Sequence, residues 1–142
     1  MILLDTNVIS ELLKPMPDST VSRWVESVSA QMLYLSTITA GELWSGVYNM
    51  DDGKRKSLQM AIISELLQER FADRVLPFDN HAAHAYGEIY QTRRKLNGKE
   101  KELDRQIAAI AKVHNLKVAT RDVQDFEGCG IDVINPWNIV SR

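Results

Sequence analysis

Five short apolar runs, separated by stretches of helical periodicity, constrain this chain more than any other feature. The runs are Met1–Asp5, Met32–Thr37, Arg74–Phe78, Leu116–Thr120 and Ile131–Ile134, and each reads as a strand. Between them lie helical segments. Asn7–Lys14 sets Val8, Ile9, Leu12 and Leu13 on one face and is stopped by Pro15 and Pro17. Asp18 or Ser19 caps a second helix that carries Val21, Trp24, Val25 and Val28. Thr39 opens a third through Glu42, Leu43, Val47 and Tyr48, which Asp51-Asp52-Gly53 interrupts. A long amphipathic helix with Leu58, Ile62, Ile63, Leu66 and Leu67 follows. Asp79 or Asn80 caps the next, which runs to Leu96 and stops at Asn97-Gly98. Leu103–His114 is the last. Strands alternating with helices predict an α/β fold with a mostly parallel sheet and helices on both faces. Right-handed crossovers then bring the carboxyl end of every strand to one edge.

Such open sheets take their ligands outside the strands' carboxyl ends, and carboxylates gather there. Asp5 closes the first strand, and Glu42 lies in the first turn after the second. Asp122 follows the fourth strand within Thr120-Arg121-Asp122, with Asp125 three residues on. Asp104 stands three, four and seven residues before Ile107, Ala108 and Ala111, so it projects from the stripe that faces the sheet. Structural roles compete at each position. Asp5 suits a helix cap, Thr39-x-x-Glu42 is a capping box, and Asp122 and Asp125 suit a turn. Asp104 is the hardest to explain in this way, because a charge opening an apolar stripe needs a partner.

The convergence has an energetic consequence. Two unit charges ~4 Å apart repel by roughly 4 kcal/mol at a surface-like dielectric. Several such pairs rival a domain's whole stability of about 5–15 kcal/mol. Protons or a hard cation must neutralise them. Oxygen donors without thiolate favour Mg²⁺ or Mn²⁺, and an ion so held suits phosphodiester hydrolysis.

Composition narrows the alternatives. The 142 residues make a single domain spanning 1–142, with 44% hydrophobic and 25% charged residues, a globular balance. The lone Cys129 excludes an internal disulfide and a cysteine-rich metal site. His81 and His84 lack a third ligand nearby and read as surface or capping residues, and His114 as a residue at a helix carboxyl end. The first apolar run is too short for a signal peptide and no run spans a bilayer, so a cytoplasmic location without membrane contact is expected.

The motifs resemble a known family. Leu3-Leu4-Asp5-Thr6-Asn7-Val8-Ile9-Ser10-Glu11-Leu12 is similar to the opening of PIN-domain ribonucleases, and more closely of VapC-type toxins in the FitB-like branch. Ser36–Leu43, Leu103–Ala111 and Ala119–Phe126 resemble the family's second, third and fourth motifs, and Val133-Ile134-Asn135-Pro136-Trp137 its ending. The stretch Gly98–Glu102 departs from the family in being more charged. The resemblance implies a three-layer α/β/α sandwich with about five strands. It implies an endoribonuclease dependent on Mg²⁺ or Mn²⁺, acting as the toxin of a toxin–antitoxin pair and leaving 5′-phosphate and 3′-hydroxyl ends. Asp5, Glu42, Asp104 and Asp122 carry over as the acidic site. Asp5, Asp104 and Asp122 fall to the metal, with Thr6, Asn7, Thr120 and Asp125 in support. An RNA substrate, a cognate antitoxin covering the region of Trp44, Tyr48 and Ile62–Leu67, a homodimer and higher assemblies with antitoxin are implied as well, although most of those apolar residues read from the sequence as core.

Charge is distributed unevenly behind a formal net of −2. Residues 91–117 hold eight basic and three acidic side chains. Arg93, Arg94, Lys95 and Lys99 lead towards Asp104 and are candidates for holding RNA phosphates, the competing reading being a solvated charged face. Trp24 and Trp137 read as core residues. Two other functions stay open: a PIN-like nuclease of RNA or DNA processing without an antitoxin, and a non-catalytic binding module on the same fold. A small upstream reading frame encoding a DNA-binding antitoxin separates the first reading from both.

Overall fold

The computed structural model describes residues 1–95 and 102–139, without the side chains of 93–95. Five strands, β1 (Ile2–Leu4), β2 (Leu33–Ser36), β3 (Val75–Leu76), β4 (Lys117–Ala119) and β5 (Val133–Ile134), form one parallel sheet in the order β3-β2-β1-β4-β5. Among the described residues six helices surround it: α1 (Thr6–Leu12), α2 (Ser19–Ser27), α3 (Thr37–Tyr48), α4 (Lys54–Glu65), α5 (Asn80–Lys95) and α6 (Glu102–Val113). Strand direction is uniform because a helix intervenes between most successive strands. Among the described residues no helix is long and apolar enough to cross a membrane.

Alternation along the central strands divides the core in two. Leu3 and Val118 face α5 and α6, packing with Ala82, Ile89, Ile107, Ile110 and Phe126. Leu4 and Ala119 face the other way, with Val8, Ile9, Val21, Leu43, Val47 and Ile63 from α1 to α4. The sheet is thus covered on both faces, as expected of a parallel one. Ile107 is fully buried between the sheet and α5. Ile107→Ala is expected to lower stability by about 2–5 kcal/mol, whereas Leu58→Ala, at a position 60% exposed, should stay within about 0.5 kcal/mol; urea unfolding measures both.

Element ends differ from the sequence reading where local chemistry intervenes. The third strand shortens to Val75–Leu76 because Pro77 has no amide to extend the ladder. A π-turn, Leu66–Arg70, follows α4. Asp18 and Asp79 do cap their helices, accepting from the amides of Thr20 and Ala82 respectively. After α6, Asn115 adopts φ 55°, while the amides of Asn115 and Leu116 return to the carbonyls of Lys112 and Ala111. This left-handed stop turns the chain directly into β4.

The strand order reverses beside β1. From β1 the chain moves outward to β2 and β3, then returns to build β4 and β5 on β1's other side. A crevice opens at such a switch point beyond the strand ends, here between Asp5 after β1 and Thr120 after β4.

Candidate active site

Asp5 is the N-cap of α1, its Oδ1 accepting from the Thr6 amide at 2.8 Å. Its own amide donates to the Ala119 carbonyl at 2.9 Å, which ties the end of β1 to the end of β4. The Thr120 hydroxyl donates to Asp5 Oδ2 at 2.7 Å. That hydroxyl also accepts from Asn7 Nδ2 at 3.3 Å and from the Asp122 amide at 3.1 Å. One donor and two acceptors are all a threonine hydroxyl offers. Thr120 is wholly buried and leaves none of them idle.

Asn7 binds the two chain ends in the same manner. Its Nδ2 also donates to Asp122 Oδ2 at 3.2 Å, and its Oδ1 accepts from the Arg121 amide at 3.3 Å. On the other flank, Thr6 Oγ1 donates to Glu42 Oε1 at 2.7 Å and lies 2.9 Å from Thr39 Oγ1. Thr6 has one hydroxyl proton, so with that proton on the carboxylate, Thr39 donates to Thr6.

This geometry corrects the reading of Thr39-x-x-Glu42 as a capping box. The cap of α3 is Ser36, whose hydroxyl accepts from the Thr39 amide at 3.0 Å. The helix begins at Thr37, two residues earlier than predicted, and Glu42 sits in its second turn rather than its first. Its carboxylate is therefore not spent on the backbone and reaches α1.

A cleft of about 640 Å³ is lined by Asp5, Thr6, Asn7, Glu42, Asp104 and Asp122. Asp104 lies half-buried in the first turn of α6, where the helix dipole favours a negative charge. The structure thus brings all four candidate acids to one wall-to-wall opening, with Thr120 immediately beneath. Asp125 is not part of the lining; its amide donates to the Asp122 carbonyl within a 3₁₀ turn, Val123–Phe126. Arg93, Arg94 and Lys95 belong to α5 by backbone, but their side chains lie outside the described residues, as does Lys99 altogether.

Sequence reasoning missed several lining residues: Ser10, Glu11, Lys14, Glu102, Arg121 and, on this face, Trp137. Trp137 packs partly into the core, as predicted, yet its exposed part forms cleft wall. Glu11 accepts from the Asp18 amide at 3.0 Å and pairs with Lys14 at 2.5 Å. The Lys14 bond, with the Asp18 amide second, holds its carboxyl below the usual range. A possible signal was its spacing: Glu11 and Lys14 follow Asn7 by four and seven residues, on the same side of α1.

Burial pushes the Asp5 carboxyl above its ordinary value. Hydrogen bonds from Thr120 and Thr6 oppose this, and the charges of Glu42 and Asp122 push it up again. The donors around it are carboxylate, hydroxyl and amide oxygens, the hard set that suits Mg²⁺ or Mn²⁺. Among the described residues no three His, Cys, Asp or Glu side chains stand close enough to enclose an ion. That is compatible with Mg²⁺, which keeps several waters and is commonly held by one or two carboxylates with substrate phosphates.

The raised value has a sign that can be checked. Below the ordinary carboxylate range Asp5 is protonated in both folded and unfolded chains and contributes nothing. As pH rises through the ordinary value and then the raised one, the fold must carry a charge it disfavours, so stability is lost. In EDTA, the melting temperature of Asp5→Asn should therefore gain on that of the wild type as pH rises from the ordinary aspartate range, about 4, towards neutrality. A gap that stays constant over that interval would show that Asp5 is unperturbed.

The profile described as PIN domain matches residues 2–127. The chain belongs to the PIN-domain family. A VapC ribonuclease, Y4jK, of Sinorhizobium fredii is 44% identical over 140 residues, covering 96% of this chain and 98% of that protein. Toxin FitB of Neisseria gonorrhoeae is 44% identical over 139 residues, covering 97% and 99%. Among solved structures, this PIN domain superposes on FitAB bound to the IR36 DNA fragment with a TM-score of 0.93, at 39% identity, covering 99% of both chains. It superposes on FitAcB from Neisseria gonorrhoeae with a TM-score of 0.88, at 41% identity, covering 98% of this chain and 100% of that one. The predicted resemblance, and the three-layer parallel architecture with it, are thereby borne out.

Proposed function

We propose that this PIN domain is a divalent-metal-dependent endoribonuclease and the toxin of a toxin–antitoxin pair. The observation that carries the reading is Asp5, buried at the strand-order switch with Glu42 and Asp122 near enough to disfavour its charge. A fold stabilised for its own sake gains nothing from that arrangement. It serves a ligand that brings positive charge, and the names of the relatives, a ribonuclease and a toxin, agree with this.

Asp5, with Asp104 or Asp122 beside it, would hold Mg²⁺ or Mn²⁺ through one or two carboxylates, and Glu42 would complete the acidic set. The ion, when bound, supplies Lewis acidity at phosphorus and a water of lowered pKa. The chain's own residues supply position. Thr120 fixes one Asp5 oxygen and the Thr6 amide fixes the other. Asn7 holds Asp122 against α1, and Thr6 holds Glu42. Asp5, Asp122 and Glu42 are thus each oriented by a neutral donor that adds no charge of its own, the arrangement by which outer groups tune metal ligands.

A protein partner is supported by the solved relatives, which include FitAB and VapBC complexes. Tyr48 and Leu58, 63% and 60% exposed, offer apolar surface on α3 and α4 to an antitoxin. A homodimer and larger assemblies with antitoxin belong to the same proposal.

The test is direct. Purified protein, freed of any partner, is incubated with total cellular RNA in Mg²⁺ or in EDTA. Cleavage in Mg²⁺ alone is expected; intact RNA in both, or equal cleavage in both, overturns the reading. Expression of the wild type without antitoxin should arrest growth and Asp104→Asn should relieve it. Equal arrest by both would separate toxicity from hydrolysis.

A further inference from the structure

Two cations stand on the wall of a cleft otherwise rich in carboxylates, Lys14 and Arg121. They are held differently. Lys14 is ion-paired with Glu11 at 2.5 Å, so its charge is already matched. Arg121 pairs with no carboxylate among the described residues, although Asp122 follows it directly in sequence. Its guanidinium lies over the Trp137 ring instead, 5.2 Å from the centroid. Its backbone is fixed by the bond from its amide to Asn7 Oδ1.

An aromatic face orients a guanidinium without consuming its hydrogen-bond donors. Five N–H groups in a planar fork then remain for an anion, and that fork matches phosphate oxygens. A cation left unmatched beside several acids is costly to explain as a stabilising pair, and simple to explain as one reserved for a polyanion. Resting on the ribonuclease reading, we propose that Arg121, braced by Trp137, contacts a phosphate of the RNA strand as it enters the cleft. The residue is a substrate-binding group distinct from the basic run before Asp104.

The test measures kcat/KM for cleavage of a single-stranded RNA in constant Mg²⁺ over a series of NaCl concentrations. Each phosphate contact on single-stranded nucleic acid contributes about 0.7 to the logarithmic salt slope. Arg121→Ala is expected to raise KM about tenfold and to flatten the slope by about 0.7, with Arg121→Lys keeping the slope near that of wild type. Lys14→Ala should leave the slope steeper than Arg121→Ala does. An unchanged slope in Arg121→Ala overturns the assignment. So does an equal flattening in Lys14→Ala, which would reflect net charge and not a contact. A wild-type protein that leaves RNA intact removes the ribonuclease reading first, and the assignment falls with it.

Discussion

Asp5→Ala is expected to lower RNA cleavage by at least about 100-fold and to abolish growth arrest, while leaving a folded protein. The size of the effect follows from position. Both carboxylate oxygens of Asp5 are held in place, one by the Thr6 amide and one by the Thr120 hydroxyl. Two neighbouring carboxylates are committed elsewhere, Glu42 to Thr6 and Asp122 to Asn7. Removing Asp5 also removes a buried charge, so the loss of activity should come without a matching loss of stability. Circular dichroism and thermal melting beside the cleavage assay make that distinction. Cleavage at more than a tenth of the wild-type rate would place the chemistry elsewhere.

Thr120→Val is expected to act through Asp5 and to reduce cleavage about 10- to 100-fold. Valine keeps the shape and deletes the hydroxyl. Asp5 Oδ2 loses its donor, and the Asp122 amide and Asn7 Nδ2 lose an acceptor. Because Thr120 is fully buried, the polar groups so stranded cost about 1–3 kcal/mol of stability. Thr120→Ser restores the hydroxyl and should recover most of both. Urea unfolding and cleavage rates on the three proteins decide it; Thr120→Val with wild-type activity would make the hydroxyl structural only.

The parts of the site that sequence exposed were those fixed by strand ends. Asp5, Asp104 and Asp122 could be placed because a parallel sheet sends its carboxyl ends to one edge, and helix periodicity aims Asp104 at it. The capping box expected at Thr39-x-x-Glu42 does not form, since the capping register depends on where β2 stops. Ser36 and Thr39 are both capping residues by type, and only the strand's end at Ser36 selects between them. The strand order, and with it the crevice between β1 and β4, is a tertiary fact that no local pattern carries. The same holds for Arg121 on Trp137, which lie 16 residues apart in sequence and meet only after β5 has paired with β4. Pro77 was visible throughout, but its effect on β3 needed the ladder to be seen.

The bond from Thr120 to Asp5 spans 115 positions of the chain. A polypeptide still leaving the ribosome has therefore no finished cleft until Thr120 has emerged and β4 has joined β1. A fragment released before that point carries Asp5 without the hydroxyl that holds its second oxygen.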